Sequence, residues 1–180
     1  DVLTAHRASL RLAHRRLLIL VPDDPETGDA AALALSRAGL RFTRRSEGTP
    51  PDDSTQVLLA DRRGELGLWY RLAPVTFVGS SMQAGHGGRD PYEAAALGSA
   101  VIHGPNVGDH IDAYARLAEA GAARVAGDAT ALSAALAYLI APDRAAAMAE
   151  AAWAIVSDGA EVTDRITDLV LDALDMGRAA

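Results

Sequence analysis

Short apolar runs alternate along this chain with stretches of helical periodicity, and that alternation limits the folds open to it. Residues 17–21 (Leu-Leu-Ile-Leu-Val) form a continuous apolar run closed by Pro22. Similar runs follow at 40–43, 56–60, 74–78, 100–103 and 123–125. Runs without polar alternation suit strands buried on both faces, as in a parallel sheet. Each interval between them has room for a helix. The sequence therefore predicts an α/β fold: a doubly wound, mostly parallel sheet of about six strands. Helices are expected near 1–14, 30–38, 64–70, 91–97 and 110–120.

Three further helices are expected after the last strand. Leu132, Leu136, Leu139 and Ile140 share one face. Met148, Ala152 and Ile155 share a second, and Val162, Ile166, Leu169, Val170 and Ala173 a third. Trp69, Tyr70 and Trp153 are read as packing residues.

Composition excludes several kinds of chemistry. There is no cysteine, hence no disulfide, thiol nucleophile or thiolate metal site. All seventeen basic residues are Arg, which removes a Walker lysine and Schiff-base chemistry. His6, His14, His86, His103 and His110 lack the close spacing of a metal site, so neither metal nor cofactor is expected. The net charge of −7 argues against a general nucleic-acid binder. No G-x-G-x-x-G follows the first strand and no G-x-S-x-G is present, which disfavours a dinucleotide dehydrogenase and a serine hydrolase. No apolar run reaches the ~18 residues of a membrane span. The chain opens without Met in a helix-like stretch whose Arg7, Arg11 and Arg15 are either a solvated face or a basic contact. It is read as one domain, 1–180, of a longer protein.

In a doubly wound sheet, ligands bind beyond the carboxyl ends of the strands. The loops expected there begin at Pro22, Asp61, Gly79 and His103. The stretch from Gly79 to Pro105 is the richest. Gly85, Gly87 and Gly88 lead to Arg89 and then to a helix start at Asp90-Pro91. Glycines at that point let backbone N–H groups approach an anion. Arg89 is either a surface residue or a phosphate contact. Glu93 is either the far member of a capping box with Asp90 or a carboxylate that accepts both hydroxyls of a ribose. Gly64, Glu65 and Leu66 open the helix after the third strand, beside Arg62 and Arg63. Ser80 and Ser81 follow the fourth strand within reach of a ligand, and His86 lies in the glycine loop.

Three strings carry a resemblance: ADRRGELGLWYRLAPVTFVGSS, GGRDPYEAAALGSAVIHGPN and AGAARV. In order and spacing they resemble the C-terminal domain of 3-deoxy-D-manno-octulosonic acid (Kdo) transferases, lipopolysaccharide glycosyltransferases of the GT-B fold. The corresponding family blocks read D-T-M-G-E-L, F-V-G-G-S-L and G-G-H-N-P-L-E-P-A-A-L-G. The resemblance implies a Rossmann-like half that binds the donor, CMP-Kdo. It implies a separate N-terminal domain that binds the lipid A precursor and supplies the base, at the cytoplasmic face of the bacterial inner membrane. The domain itself is expected to be soluble and to hold no catalytic residue.

Carried over by position, Glu93 matches the ribose-binding Glu, and Gly64, Glu65 and Leu66 the block near the donor phosphate. Ser81 matches the serine of G-G-S, and Gly87 and Gly88 the paired glycines. There are also departures. Arg89-Asp90 replaces His-Asn, and Arg62-Arg63 replaces Thr-Met. The family's P-R-H-P-E-R loop is Pro22-Asp23-Asp24-Pro25-Glu26-Thr27. Either the phosphate contacts have moved to Arg62, Arg63 and Arg89, or the chain marks a subgroup with another donor. Another nucleotide-sugar glycosyltransferase or epimerase, and a degenerate non-catalytic module, are the alternatives.

Overall fold

The structure is a computed structural model. It describes the backbone of residues 1–178 and their side chains except those of 25, 159–164 and 172–178. The elements run α1 (Val2–Leu10), β1 (Leu18–Leu20), α2 (Gly28–Arg37), β2 (Phe42–Arg44), β3 (Val57–Leu59), α3 (Leu66–Leu72) and β4 (Val75–Val78). They continue as α4 (Tyr92–Ala96), β5 (Ala100–His103), α5 (Ile111–Glu119), β6 (Ala123–Val125), α6 (Ala129–Tyr138) and α7 (Pro142–Arg178).

The six expected strands are present and pair in parallel. They hydrogen-bond as two sets of three, in the orders β1-β3-β2 and β4-β5-β6. In the first set Ile19 and Thr43 both register with Leu58. In the second, Thr76 registers with Val101 and Ile102 with Arg124.

Alternation along the central strands explains the layers. On β5, Val101 packs with Ala94 and Ala95 of α4, Tyr114 and Leu117 of α5, and Ala152 of α7. Its neighbours Ala100 and Ile102 face Ala5 of α1, Leu132 of α6, Leu139 just after it, and Met148 of α7. On β3, Val57 and Leu59 pack against Leu35 of α2, while Leu58 faces Trp69 of α3. Because successive strand side chains point to opposite faces, both faces of each sheet are covered by helices. Leu35, Leu59, Ile102 and Leu117 are among the largest fully buried side chains, and each contributes about 1.5–3 kcal/mol of burial.

The end of the chain differs from expectation. The second and third predicted helices are one, α7, 37 residues long. Asp128 caps α6 by accepting from the Ala131 N–H at 2.7 Å, as its sequence position indicates. Trp153 is not a packing residue: it is 56% exposed. In the third stripe, Ile166, Leu169 and Val170 are exposed rather than buried, and Val162 and Ala173 lie outside the described side chains.

Candidate functional site

A cleft of about 1370 Å³ is lined by all of β1 and all of β4. Each of these strands pairs on one edge only. At the carboxyl ends of β1, β3 and β4 the lining becomes polar, with Asp23, Arg62, Arg63, Gly64, Ser80 and Arg89. Gly64, Leu66 and Arg89, three of the predicted site residues, thus share one cleft. The other five occupy its surroundings in different ways.

Glu65 is half-buried and already paired. Arg45, which follows β2, grips it through Nε and a terminal nitrogen at 2.9 and 3.0 Å. That bond holds the Glu65 carboxyl below its ordinary pKa and the Arg45 guanidinium above its own. The Arg45 guanidinium also lies over the Trp69 ring, 5.9 Å from its centroid. Glu65 therefore anchors Arg45 at the cleft wall.

Ser81 is fully buried. Its hydroxyl donates to the Val78 carbonyl at 2.7 Å and accepts from the Gly104 N–H at 2.8 Å. It pins the loop after β4 to the loop after β5 and does not reach solvent. The same two loops meet backbone to backbone elsewhere. The Asn106 N–H donates to the Ser81 carbonyl, and the Asn106 side chain to the Met82 carbonyl at 3.1 Å. A side chain on Gly88 would press on Val107 and Asn106, and one on Gly108 would strike Gly87. Gly87 and Gly88 have φ of 74° and 69°, where a Cβ is disfavoured. The Gly88 N–H is taken up by the Ser80 carbonyl at 3.0 Å, so this glycine shapes the loop rather than presenting that N–H.

Glu93 is exposed at the first turn of α4. Its carboxylate makes no hydrogen bond or ion pair among the described residues. The capping box is not formed: Asp90 instead accepts from the Tyr92 N–H at 2.8 Å. Glu93 Oε1 lies 3.9 Å from where a Cβ on Gly67 would stand, so α3 has a bare spot beneath it. Burial raises the Tyr70 pKa, and the charges of Glu93 and Asp90 add to it.

Arg89 projects from a fixed backbone. Its carbonyl accepts from the buried Tyr114 hydroxyl at 2.8 Å. Burial pushes that hydroxyl well above its ordinary value, with Tyr70 and Asp90 adding to the shift. The Tyr114 ring lies against His103, with centroids 4.2 Å apart. The His103 Nδ1 donates to the Gly104 carbonyl, and burial lowers the imidazole pKa, partly opposed by that bond.

The Arg89 guanidinium is paired with Asp23, and Arg63 with Asp24 at 2.9 Å. Local pattern gives no hint of these partners. The one available clue was the charge exchange itself, acids gained in the first loop and arginines gained in the others. The sequence marks Asp61 only as the start of the loop after the third strand. In the structure it is buried and accepts from the Ser46 N–H and hydroxyl and from Arg44. Burial acts to raise its pKa, but these bonds outweigh it and hold the carboxyl below the usual range. Among the described residues no group of three or more His, Asp or Glu is placed to hold a metal ion. Among the described residues, no helix is long and apolar enough to cross a membrane.

Parallel strands, helices on both faces and a polar cleft at the strand ends define a Rossmann-like ligand-binding domain. No family model matches the chain. Individual relatives do. It is 42% identical over 174 residues to 3-deoxy-D-manno-octulosonic acid transferase of Bordetella pertussis, covering 96% of this chain and 40% of that protein. It is 32% identical to the Haemophilus influenzae protein of the same name, covering 97% of this chain and 41% of that one. The crystal structure of the C-terminal CMP-Kdo binding domain of WaaA from Acinetobacter baumannii superposes with a TM-score of 0.79 at 31% identity. That match covers 84% of this chain and 79% of that domain. The chain belongs to the Kdo transferase family. It spans about two fifths of the length of these curated relatives.

Proposed function

We propose that this chain is the donor-binding domain of a Kdo transferase and that its ligand is CMP-Kdo. The observation that carries the reading is the similarity of its fold, at 31% identity, to a domain described as CMP-Kdo binding. The cleft supports it, since Arg63, Gly64 and Arg89 converge at the strand ends, where anionic ligands of such sheets bind. In this reading Arg89 and the Gly64 turn hold the phosphate, and Glu93 accepts the ribose hydroxyls. Leu66 borders the pocket, and Glu65, Ser81, Gly87 and Gly88 fix its walls. In the whole enzyme a base from an N-terminal domain would deprotonate an acceptor hydroxyl on a lipid A precursor. That oxygen would attack the anomeric carbon of Kdo as CMP leaves, at the cytoplasmic face of the inner membrane. The domain's own part is to orient the nucleotide and offset the charge on the departing phosphate.

Titration calorimetry with CMP, UDP and GDP tests this. CMP is expected to bind and the two diphosphates to bind more weakly. Arg89→Ala is expected to weaken CMP about tenfold, the loss of one charge-assisted contact. Preference for UDP or GDP would redirect the reading to another nucleotide-sugar enzyme. A folded domain that binds none of the three at millimolar concentration would be a non-catalytic module.

A further inference from the structure

Asp23 and Asp24 sit side by side after β1, yet their partners come from two other loops. Asp23 pairs with Arg89 of the glycine loop, and Asp24 with Arg63 of the loop after β3. Asp24 is also braced locally, accepting from the Glu26 N–H at 3.1 Å. The aspartates thus tie together three of the loops that form the polar end of the cleft. They also occupy two arginines that line it. Neither pair is buried: the side chains are 51% and 69% exposed in one and 74% and 46% in the other. Exposed pairs of this kind contribute about 0–1 kcal/mol each, so an incoming anion can displace them.

We propose that Asp23 and Asp24 tune the affinity of the cleft for phosphate-bearing ligands by acting as exchangeable counter-ions for Arg89 and Arg63. With no ligand bound, the aspartates satisfy the guanidinium groups. A ligand gains those arginines only by bringing its own anion to replace a carboxylate. A phosphate does so well, because its charge and bidentate geometry suit Arg better than a single carboxylate oxygen. A neutral nucleoside cannot make the exchange and gains nothing from either arginine. The aspartates therefore lower affinity for every phosphate-bearing ligand and leave a neutral nucleoside untouched, so they moderate the advantage that the phosphate gives. This rests on the donor-binding reading above.

The test compares CMP with cytidine in the wild-type chain, in Asp23→Asn, in Asp23→Asn/Asp24→Asn, and in Arg89→Ala with and without Asp23→Asn. The double Asn variant is expected to bind CMP about three- to tenfold more tightly, the release of two exposed pairs, with cytidine affinity unchanged. In the Arg89→Ala background, Asp23→Asn is expected to lose most of its effect, since the two residues act through one contact. Unchanged or weaker CMP binding by the double variant, where wild type binds CMP, overturns the proposal. So does an equal gain for cytidine, or a full gain without Arg89. If the folded wild type and the variants all fail to bind CMP, the donor-binding reading itself falls and takes the proposal with it.

Discussion

Ser81 and Gly104 lock the loops after β4 and β5 to one another. The Gly104 N–H donates to the Ser81 hydroxyl at 2.8 Å, and a Cβ on Gly104 would collide with the Ser81 backbone. Gly104→Ala is expected to destabilise the chain by about 3 kcal/mol or more, because the obstacle is backbone and cannot turn aside. Ser81→Ala leaves the Gly104 N–H without its partner and should cost about 1–3 kcal/mol. Urea melts of the two variants check both figures. An alanine at 104 that costs under 1 kcal/mol would disprove the close approach.

Asp61 holds the first sheet to the turn after β2. Its carboxylate takes bonds from Ser46 and Arg44, and Arg44 also reaches Asp29 at 2.7 Å. Asp61→Ala removes the acceptor of the Ser46 N–H and leaves Arg44, half-buried, with the exposed Asp29 alone. A loss of about 2–4 kcal/mol is expected. Asp61→Asn keeps acceptor capacity and should cost less. If the two variants lose the same amount, hydrogen-bond satisfaction is not the reason for the loss.

The strands were legible because each is an apolar run too short for a helix, and the β5 alternation of Val101 with Ala100 and Ile102 follows from period two. The long α7 was not. The stripes at 148–155 and 162–173 suggest two helices, but the glycine between them, Gly159, costs a continuous helix only about 1 kcal/mol. α7 packs on the core through Met148, Ala152, Ile155 and Val156, all before that glycine. At the site, Arg63 and Arg89 were visible as cations. What they pair with depends on loops brought together only by the fold. Ser81 shows the same limit: its type and position were plain, while its burial comes from the Gly104 loop closing over it.

Two buried histidines set the acid response near neutrality. Burial lowers the pKa of both His6 and His103 from the ordinary 6.5, partly opposed by bonds to the Gln56 and Gly104 carbonyls. Below about pH 6.5 the unfolded chain takes up protons that the folded chain refuses, so stability falls as pH drops from there through the folded values. Above pH 6.5 the histidine contribution is flat. Melting temperatures measured between pH 8 and pH 5 should follow this course. His103→Gln should flatten the slope, and a slope unchanged in that variant would place the protonation elsewhere.

Ser80 is the one non-glycine residue with positive φ among those described, at 61°. The left-handed region costs an L-residue about 1–2 kcal/mol, and the greater freedom of glycine in the unfolded chain returns part of this. Ser80→Gly is therefore expected to stabilise the chain by about 0.5–1 kcal/mol, a rise of a few degrees in melting temperature. Ser80→Ala keeps the strain and should give no such rise. A lower melting temperature for the glycine variant would mean that the Ser80 side chain stabilises this loop by more than the strain costs.

Glu93 provides the sharpest separation of binding from folding. Its carboxylate is exposed and free of hydrogen bonds among the described residues, and no capping bond returns from it to Asp90. Removing it should leave stability within about 0.5 kcal/mol. If it holds the ribose of a bound nucleotide, Glu93→Ala should weaken CMP by about five- to thirtyfold, the worth of hydrogen bonds to a charged acceptor. The control is 2′,3′-dideoxy-CMP, which lacks both hydroxyls and should bind wild type and variant equally. A stability loss with unaltered CMP affinity would return Glu93 to a structural role on α4. An equal loss of affinity for both nucleotides would show that the carboxylate acts on the pocket as a whole rather than on the ribose.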